Sequence, residues 1–316
     1  MVSLPVPPDA APGTLGNRLE SLLPSVAPLV FVFLWSTGFI SAKYGLRDAD
    51  PLTFLAIRML VSAAVLALVA AAMRSAWPRD RRAYRDTASA GLLLHAGYLG
   101  GVFVAIDHGM PAGLSSIIIG LQPILTAVLA QSMLGEGITR RQWFGLALGF
   151  GGVGLVVVER IRANGGLSSD IEAVAFVAIG VGLVSTTLGT IFQKRNGQRM
   201  PLISGTATQY GAAAVVLWIG AIATEDLRVD WTGQLLAVYA WTILGISFGA
   251  VTLLMLMIRR SSVSRVSTYL YLVPPLTAIE AYVLFDERLT ALALAGMAAV
   301  VAGVALVVVT RGSTRR

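Results

Sequence analysis

The sequence predicts an all-α integral membrane protein of ten transmembrane helices in two inverted five-helix repeats, and three observations predict it. First, 56% of the 316 residues are hydrophobic and only 13% are charged, at a mean hydropathy of +0.75. That is more apolar surface than one water-soluble core buries. Second, apolar runs of about 20 residues, the length that crosses ~30 Å of hydrocarbon, follow one another with short polar breaks. Third, "LTAVLAQSMLGEGIT", beginning at Leu125, returns 151 residues later as "LTAIEAYVLFDERLT", beginning at Leu276.

The chain opens with "MVSLPVPPDAAPGTLGNRLESLLPS", which is Pro-rich and polar. It lacks the basic front and short apolar core of a cleaved signal, so residues 1–26 read as a loose cytoplasmic tail. The first apolar run, 27–46, then acts as an uncleaved insertion signal. Further runs follow at 52–73, 86–106, 113–134 and 141–158, which closes a first repeat over 27–158. An outer linker covers 159–171. Runs at 172–192, 202–223, 233–258, 264–285 and 292–310 make the second repeat over 172–310, followed by a basic cytoplasmic tail at 311–316. Barrel strands are the poorer reading, because they show alternation over about ten residues rather than unbroken apolar runs.

The formal charge of +7 at pH 7 raises the question of nucleic acid, and the placement of the basic residues answers it. With the N-terminus inside, 17 of the 24 Lys and Arg fall on inner segments and 6 on outer ones, Arg58 lying within a span. This is the positive-inside bias, and it places both termini in the cytoplasm. The basic balance therefore points to topology and anionic lipid, with no nucleic-acid partner. The chain has no cysteine, which excludes disulfides, thiol catalysis and Cys-ligated metals.

The 151-residue offset also carries Gly38 to Gly189, Lys43 to Lys194, Ser116 to Ser267, Pro123 to Pro274, Glu136 to Glu287, Thr139 to Thr290, Gly145 to Gly296 and Gly152 to Gly303. From Gly113 to Val158 the match to Ser264 through Val309 needs no gap. Five spans per copy is an odd number, so the second copy enters the membrane in the opposite sense. Inverted repeats give a fold two related conformations, one open inward and one outward, around a site near the midplane.

"FLWSTGFISAKYG", "FLAIRMLVSAAVLAL" and "SSIIIGLQPILTAVLAQSMLGEGITRRQWFGLALGFGGVGLVVV" resemble an EamA domain of the drug/metabolite transporter superfamily. "VSTYLYLVPPLTAIEAYVLFDERLTALALAGMAAVVAGVALVVV" resembles the same domain in the second half, so the likeness covers residues 27–310. It implies ten helices in two inverted halves, a central cavity, and export or exchange of small metabolites, often amino acids.

The candidate site residues are weighed from their chemistry. Pro123 and Pro274 fall near the centres of spans four and nine, where each frees a carbonyl; paired interruptions mark a midplane site, and a structural kink is the alternative. His95 sits near mid-depth with Tyr98 a turn away, and suits either proton coupling or a bond to a neighbouring helix. Gln122 can donate and accept to a zwitterion or serve as helix-to-helix glue. Trp35, Tyr269 and Tyr271 are candidates to line a cavity for apolar or aromatic side chains. Glu280 lies about 10 Å inside the outer end of its span, at a depth like that of Arg58. The two are expected to form an ion pair, or Glu280 to carry a proton. Lys43 and Lys194 at span ends either snorkel or form gate salt bridges. Glu136 and Glu287 are expected to cap or bond helix ends at the two gates. Glycines four apart, at Gly97 and Gly101, Gly145 and Gly149, and Gly245 and Gly249, predict close helix contacts.

The function these readings favour is a secondary carrier of small polar metabolites such as amino acids, by alternating access, in a bacterial inner membrane. Its partners are a small-molecule substrate and membrane lipid; protons are a candidate coupling ion, and the chain is a monomer or homodimer. A flippase or carrier of lipid-linked or nucleotide-like cargo on the same fold is the alternative. No enzyme motif appears: there is no HExxH, no GxSxG, no P-loop, and only two histidines, so neither a cofactor nor a metal is expected.

Overall fold

The structure, a computed structural model, describes residues 15–134, 139–163, 173–196, 200–251, 253, 257, 269–287 and 290–309. Among the described residues all regular elements are helices, and a single β-bridge joins Ala49 to Val229 in the loops. In chain order the helices are α1 (Leu15–Gly45), α2 (Pro51–Ala72), α3 (Arg81–Asp107), α4 (Ala112–Ile119), α5 (Gln122–Leu134), α6 (Arg140–Ala163), α7 (Ala173–Asn196), α8 (Leu202–Thr224), α9 (Gly233–Ala250), α10 (Leu270–Phe285) and α11 (Ala291–Val309). Among the described residues, six helical stretches are long and apolar enough to cross a membrane: Val26–Gly45, α2, α3, α7, α8 and α9.

The helix starts follow local chemistry. Asp50 holds an extended backbone before Pro51, and Pro51 sets the first turn of α2, where a missing N–H costs nothing. The carboxylate of Glu225, just past α8, accepts from the Leu52 and Thr53 amides at 2.6 and 2.8 Å and so caps α2 from another helix. Asp80 caps α3 by accepting from the Ala83 amide at 2.7 Å. Thr139 and Thr290, matched by the sequence offset, also cap alike. Each hydroxyl accepts an amide three residues on, from Gln142 at 3.3 Å and Ala293 at 3.2 Å, at the starts of α6 and α11.

Three expectations change. The helix of the first span begins at Leu15, inside the stretch expected to be a loose tail, because "LGNRLESLL" is rich in good helix formers. Span four is two helices, α4 and α5, separated at Gly120 and Leu121. Pro123 is therefore the second residue of a new helix rather than the centre of a continuous one. Pro274 holds the equivalent place, in the first turn of the α-helical stretch Val273–Phe285 after a 3₁₀ turn at Leu270–Leu272. Proline is tolerated there for the reason that applies to Pro51.

Spans three and eight are also irregular at matching places. Leu92–Gly97 of α3 and Trp241–Ala250 of α9 are π-helical, and the offset of 151 carries the first stretch into the second. Such widenings often occur at functional sites.

The packing is paired in the same way. α2 lies along α8 and α6 along α11, while α3 lies against α7 as α9 lies against α1. Small residues set the approach. A Cβ at Gly101 would meet the Ala178 carbonyl and the Gly182 backbone, and a Cβ at Gly152 would meet the Gly296 carbonyl at 2.5 Å. Apolar residues such as Leu68, Val177, Val215, Ile219 and Val283 stay exposed, as lipid-facing side chains do.

At the Lys43 end of the bundle the two halves are knitted together. The Asp50 carboxylate accepts from the Arg228 amide at 2.8 Å, the Asp230 amide donates to the Asp48 carbonyl at 2.7 Å, and Phe54 stacks between Phe103 and Tyr239.

Candidate functional site

The polar groups of the bundle interior gather where the irregular helices meet. Arg58 of α2 is 4% exposed. One of its terminal nitrogens donates to the Ser247 hydroxyl of α9 at 3.3 Å, while its Nε–H is buried with no partner. Tyr98 of α3 and Tyr210 of α8 lie within electrostatic reach of the guanidinium. Trp35 of α1 is partly buried against the core, its ring 5.3 Å from that of Phe31.

His95 lies in the π-helical turn of α3. Its Nε2 is 3.4 Å from the Gln209 Oε1 of α8, and its ring meets Tyr210 edge-on at 4.6 Å. Gln209 donates onward to Gln193 Oε1 of α7 at 3.1 Å. Gln209 is the residue that the 151 offset pairs with Arg58. The same position of both copies thus carries a long polar side chain into the interior, cationic in one copy and neutral in the other.

Glu280 of α10 accepts from the Ser36 hydroxyl of α1 at 2.7 Å, and its second oxygen is buried without a partner. The expected Arg58 to Glu280 ion pair is not made. Similar depth did not bring the two together, because α2 packs along α8 while α10 packs on α1, and depth says nothing about position around the bundle. Each charge is left with a hydroxyl partner only. A charged side chain at such depth costs ~2.5–3.5 kcal/mol even by the milder insertion scales, so a cation and an anion left this way mark a polar interior that a ligand or water completes. The Tyr271 hydroxyl and Thr277 Oγ1 of α10 are likewise buried and unpartnered.

The other expected residues fall elsewhere. The Gln122 amide donates to the Thr190 hydroxyl of α7 at 2.8 Å, tying α5 to α7. Tyr269 is partly buried at the start of the turn before α10. At the Lys43 end, Glu287 accepts from the Lys43 ammonium, and its other oxygen lies 3.4 Å from the Gly113 amide at the start of α4. Phe285 lies under the ammonium at 4.5 Å. A left-handed turn at Asp286, at φ 53°, folds Glu287 back to reach both partners. Lys194 lies exposed in the last turn of α7, and Glu136 is outside the described residues.

Ser36, Gln209, Tyr210 and Ser247 were missed in the sequence. Only Gln209 carried a signal, its offset from Arg58; the rest are common small or aromatic residues whose role depends on their neighbours.

The EamA-like transporter family matches the chain twice, over residues 25–158 and 173–309. The chain belongs to the EamA-like transporter family. This EamA protein is 28% identical over 287 residues to an uncharacterised transporter of Bacillus subtilis (strain 168), covering 87% of this chain and 88% of that one. It is 28% identical over 290 residues to a probable amino-acid metabolite efflux pump of Salmonella typhimurium, covering 87% and 91%. A crystal structure shares its fold at a TM-score of 0.61 and 17% identity, covering 93% of this chain and 99% of the other. The EamA protein is a multi-pass membrane protein, and its family and relatives are transporters rather than enzymes.

Proposed function

We propose that this EamA protein is a secondary carrier that exports or exchanges small polar metabolites, amino acids or related compounds, by alternating access. The observation that carries the reading is the pair of buried, unpartnered charged atoms, Arg58 Nε and Glu280 Oε2, on helices from the two halves of the chain. A substrate carboxylate offers an acceptor to the first, and a proton satisfies the second. Tyr98 and Tyr210 supply aromatic faces near the cation, Trp35 on α1 is a further candidate for the wall, and His95 with Gln209 adds neutral donors and acceptors.

Ten spans in two inverted five-helix halves, with both termini in the cytoplasm of a bacterial cell, complete the reading. The double family match, the paired capping threonines, the paired prolines at helix starts and the π-helical stretches in spans three and eight support the repeat. In that orientation the Lys43 end faces outward, and the Lys43 to Glu287 pair belongs to a closed outer gate. Lys194 and Glu136 are its counterparts by sequence at the inner end.

The test is counterflow in proteoliposomes with labelled leucine, phenylalanine, threonine and lysine, each with and without a pH gradient. Saturable exchange of at least one is the expected result, and its response to the gradient identifies protons as the coupling ion. A blank panel with folded protein removes the amino-acid reading and moves weight to lipid-linked or nucleotide-like cargo.

A further inference from the structure

We propose that Arg58 is the seat of a carboxylate on the transported molecule, with Tyr98 and Tyr210 near it taking the molecule's apolar part. The proposal rests on the carrier reading above and narrows its cargo to small carboxylates and amino acids with an apolar side chain.

A buried cation of this kind is stabilised by an anion beside it. Arginine stays charged in any protein environment, so its charge cannot be shed on burial as that of a lysine can. Arg58 is nearly wholly buried, yet its neighbours are the Ser247 hydroxyl, two phenols and the His95 imidazole, and none of these is an anion at neutral pH. Glu280, the carboxylate expected to answer it, is held by Ser36 on α1. The Ser247 bond is long at 3.3 Å and readily exchanged for a stronger acceptor, and the Nε–H has no acceptor among the described residues. The guanidinium fork fits the two oxygens of a carboxylate and makes charge-assisted bonds to them.

The site is also asymmetric. Gln209, the counterpart of Arg58 in the second copy, is already bonded to His95 and Gln193. The cluster therefore offers one permanent positive charge, which suits a single carboxylate better than a dianion such as a phosphate ester. The rings within reach of the cation, those of Tyr98 and Tyr210, offer an apolar neighbour for the group next to the carboxylate.

The experiment compares three competitors for counterflow of the amino acid that the wild type carries best: that amino acid, its carboxamide and its deaminated acid. In the wild type the carboxamide is expected to compete about tenfold or more weakly than the amino acid, the loss of one charge-assisted pair. In Arg58→Gln the amino acid is expected to fall to the level of its carboxamide, while Arg58→Lys keeps part of the difference. A carboxamide that competes as well as the amino acid in the wild type overturns the seat and leaves the carrier reading standing, without need of any variant. So does a folded Arg58→Gln protein that still discriminates.

If no amino acid is carried, 3-phenylpropionate is tested as a thermal stabiliser of the solubilised protein. Protection by it that Arg58→Gln abolishes sustains the carboxylate seat while the amino-acid reading falls. No protection in the wild type overturns both.

Discussion

At the scale of single residues, the interior of this EamA protein sets two charges against hydroxyls rather than against each other. Glu280 differs from Arg58 in that a carboxylate can take up a proton where a guanidinium cannot lose one. Its second oxygen, buried and without a partner, is where that proton would sit. Glu280→Gln keeps the shape and the acceptor for Ser36 but fixes the group in a neutral form. We expect it to retain exchange while losing at least most of the response to a pH gradient in proteoliposomes. Transport with unchanged pH dependence would remove Glu280 from any coupling role. The Glu280 readout is pH response and that for Arg58 is carboxylate discrimination, so the two roles are separable.

At the scale of the helix, the small residues decide how closely neighbours approach. Gly101 of α3 lies against the backbone of α7 at Ala178 and Gly182, so Gly101→Val has no side chain to push aside. Overpacking of this kind typically costs about 1–3 kcal/mol, and a lower thermal midpoint in detergent is the expected outcome. Gly180→Ala is the control, since nothing lies within 4 Å of the added carbon and alanine is the better helix former. An equal loss in both variants would show that the effect does not arise at the α3 to α7 crossing. The breaks before Pro123 and Pro274 belong to the same scale. Each proline begins a helical stretch at the place where its missing N–H is least costly, so the irregular turn is written into the sequence by the residue that follows it.

At the scale of the whole molecule, three contacts join the two halves at the Lys43 end: Lys43 with Glu287, Glu225 with the start of α2, and Asp50 with Arg228. If the Lys43 to Glu287 pair latches this end, Lys43→Met or Glu287→Gln shifts the population toward the form open there. The chain contains no cysteine, so a single Ser116→Cys, on the buried face of α4 near Gly113, gives a clean reporter. Its labelling by an impermeant maleimide added outside cells is expected to rise severalfold in either variant. Recovery of protection in the double exchange Lys43→Glu, Glu287→Lys would tie the effect to the pair. Unchanged labelling in all three would remove the latch. The orientation itself is tested by reporters at the ends: a fluorescent protein active only in the cytoplasm should light up on both termini, and a dark C-terminus would contradict ten spans.

The sequence by itself determined what depends on composition and on residues recurring at a fixed distance. Hydropathy made the chain a membrane protein, and the 151-residue echo of Thr, Pro, Lys and Glu marked two copies of one domain. Thr139 and Thr290 recur because both cap the same kind of helix start, a local requirement that any copy must meet. The position of each helix around the bundle was not legible, because hydropathy fixes depth and period but carries no lateral coordinate. That is why Arg58 and Glu280, alike in depth, were expected to pair and do not. Only the tertiary structure decided that Arg58 sits among Tyr98, Tyr210 and Ser247, that Glu280 leans on Ser36, and that Glu287 turns back at Asp286 to meet Lys43. Each of those contacts joins residues far apart in the chain, and the packing of helices against one another, rather than any local preference, brings them into reach.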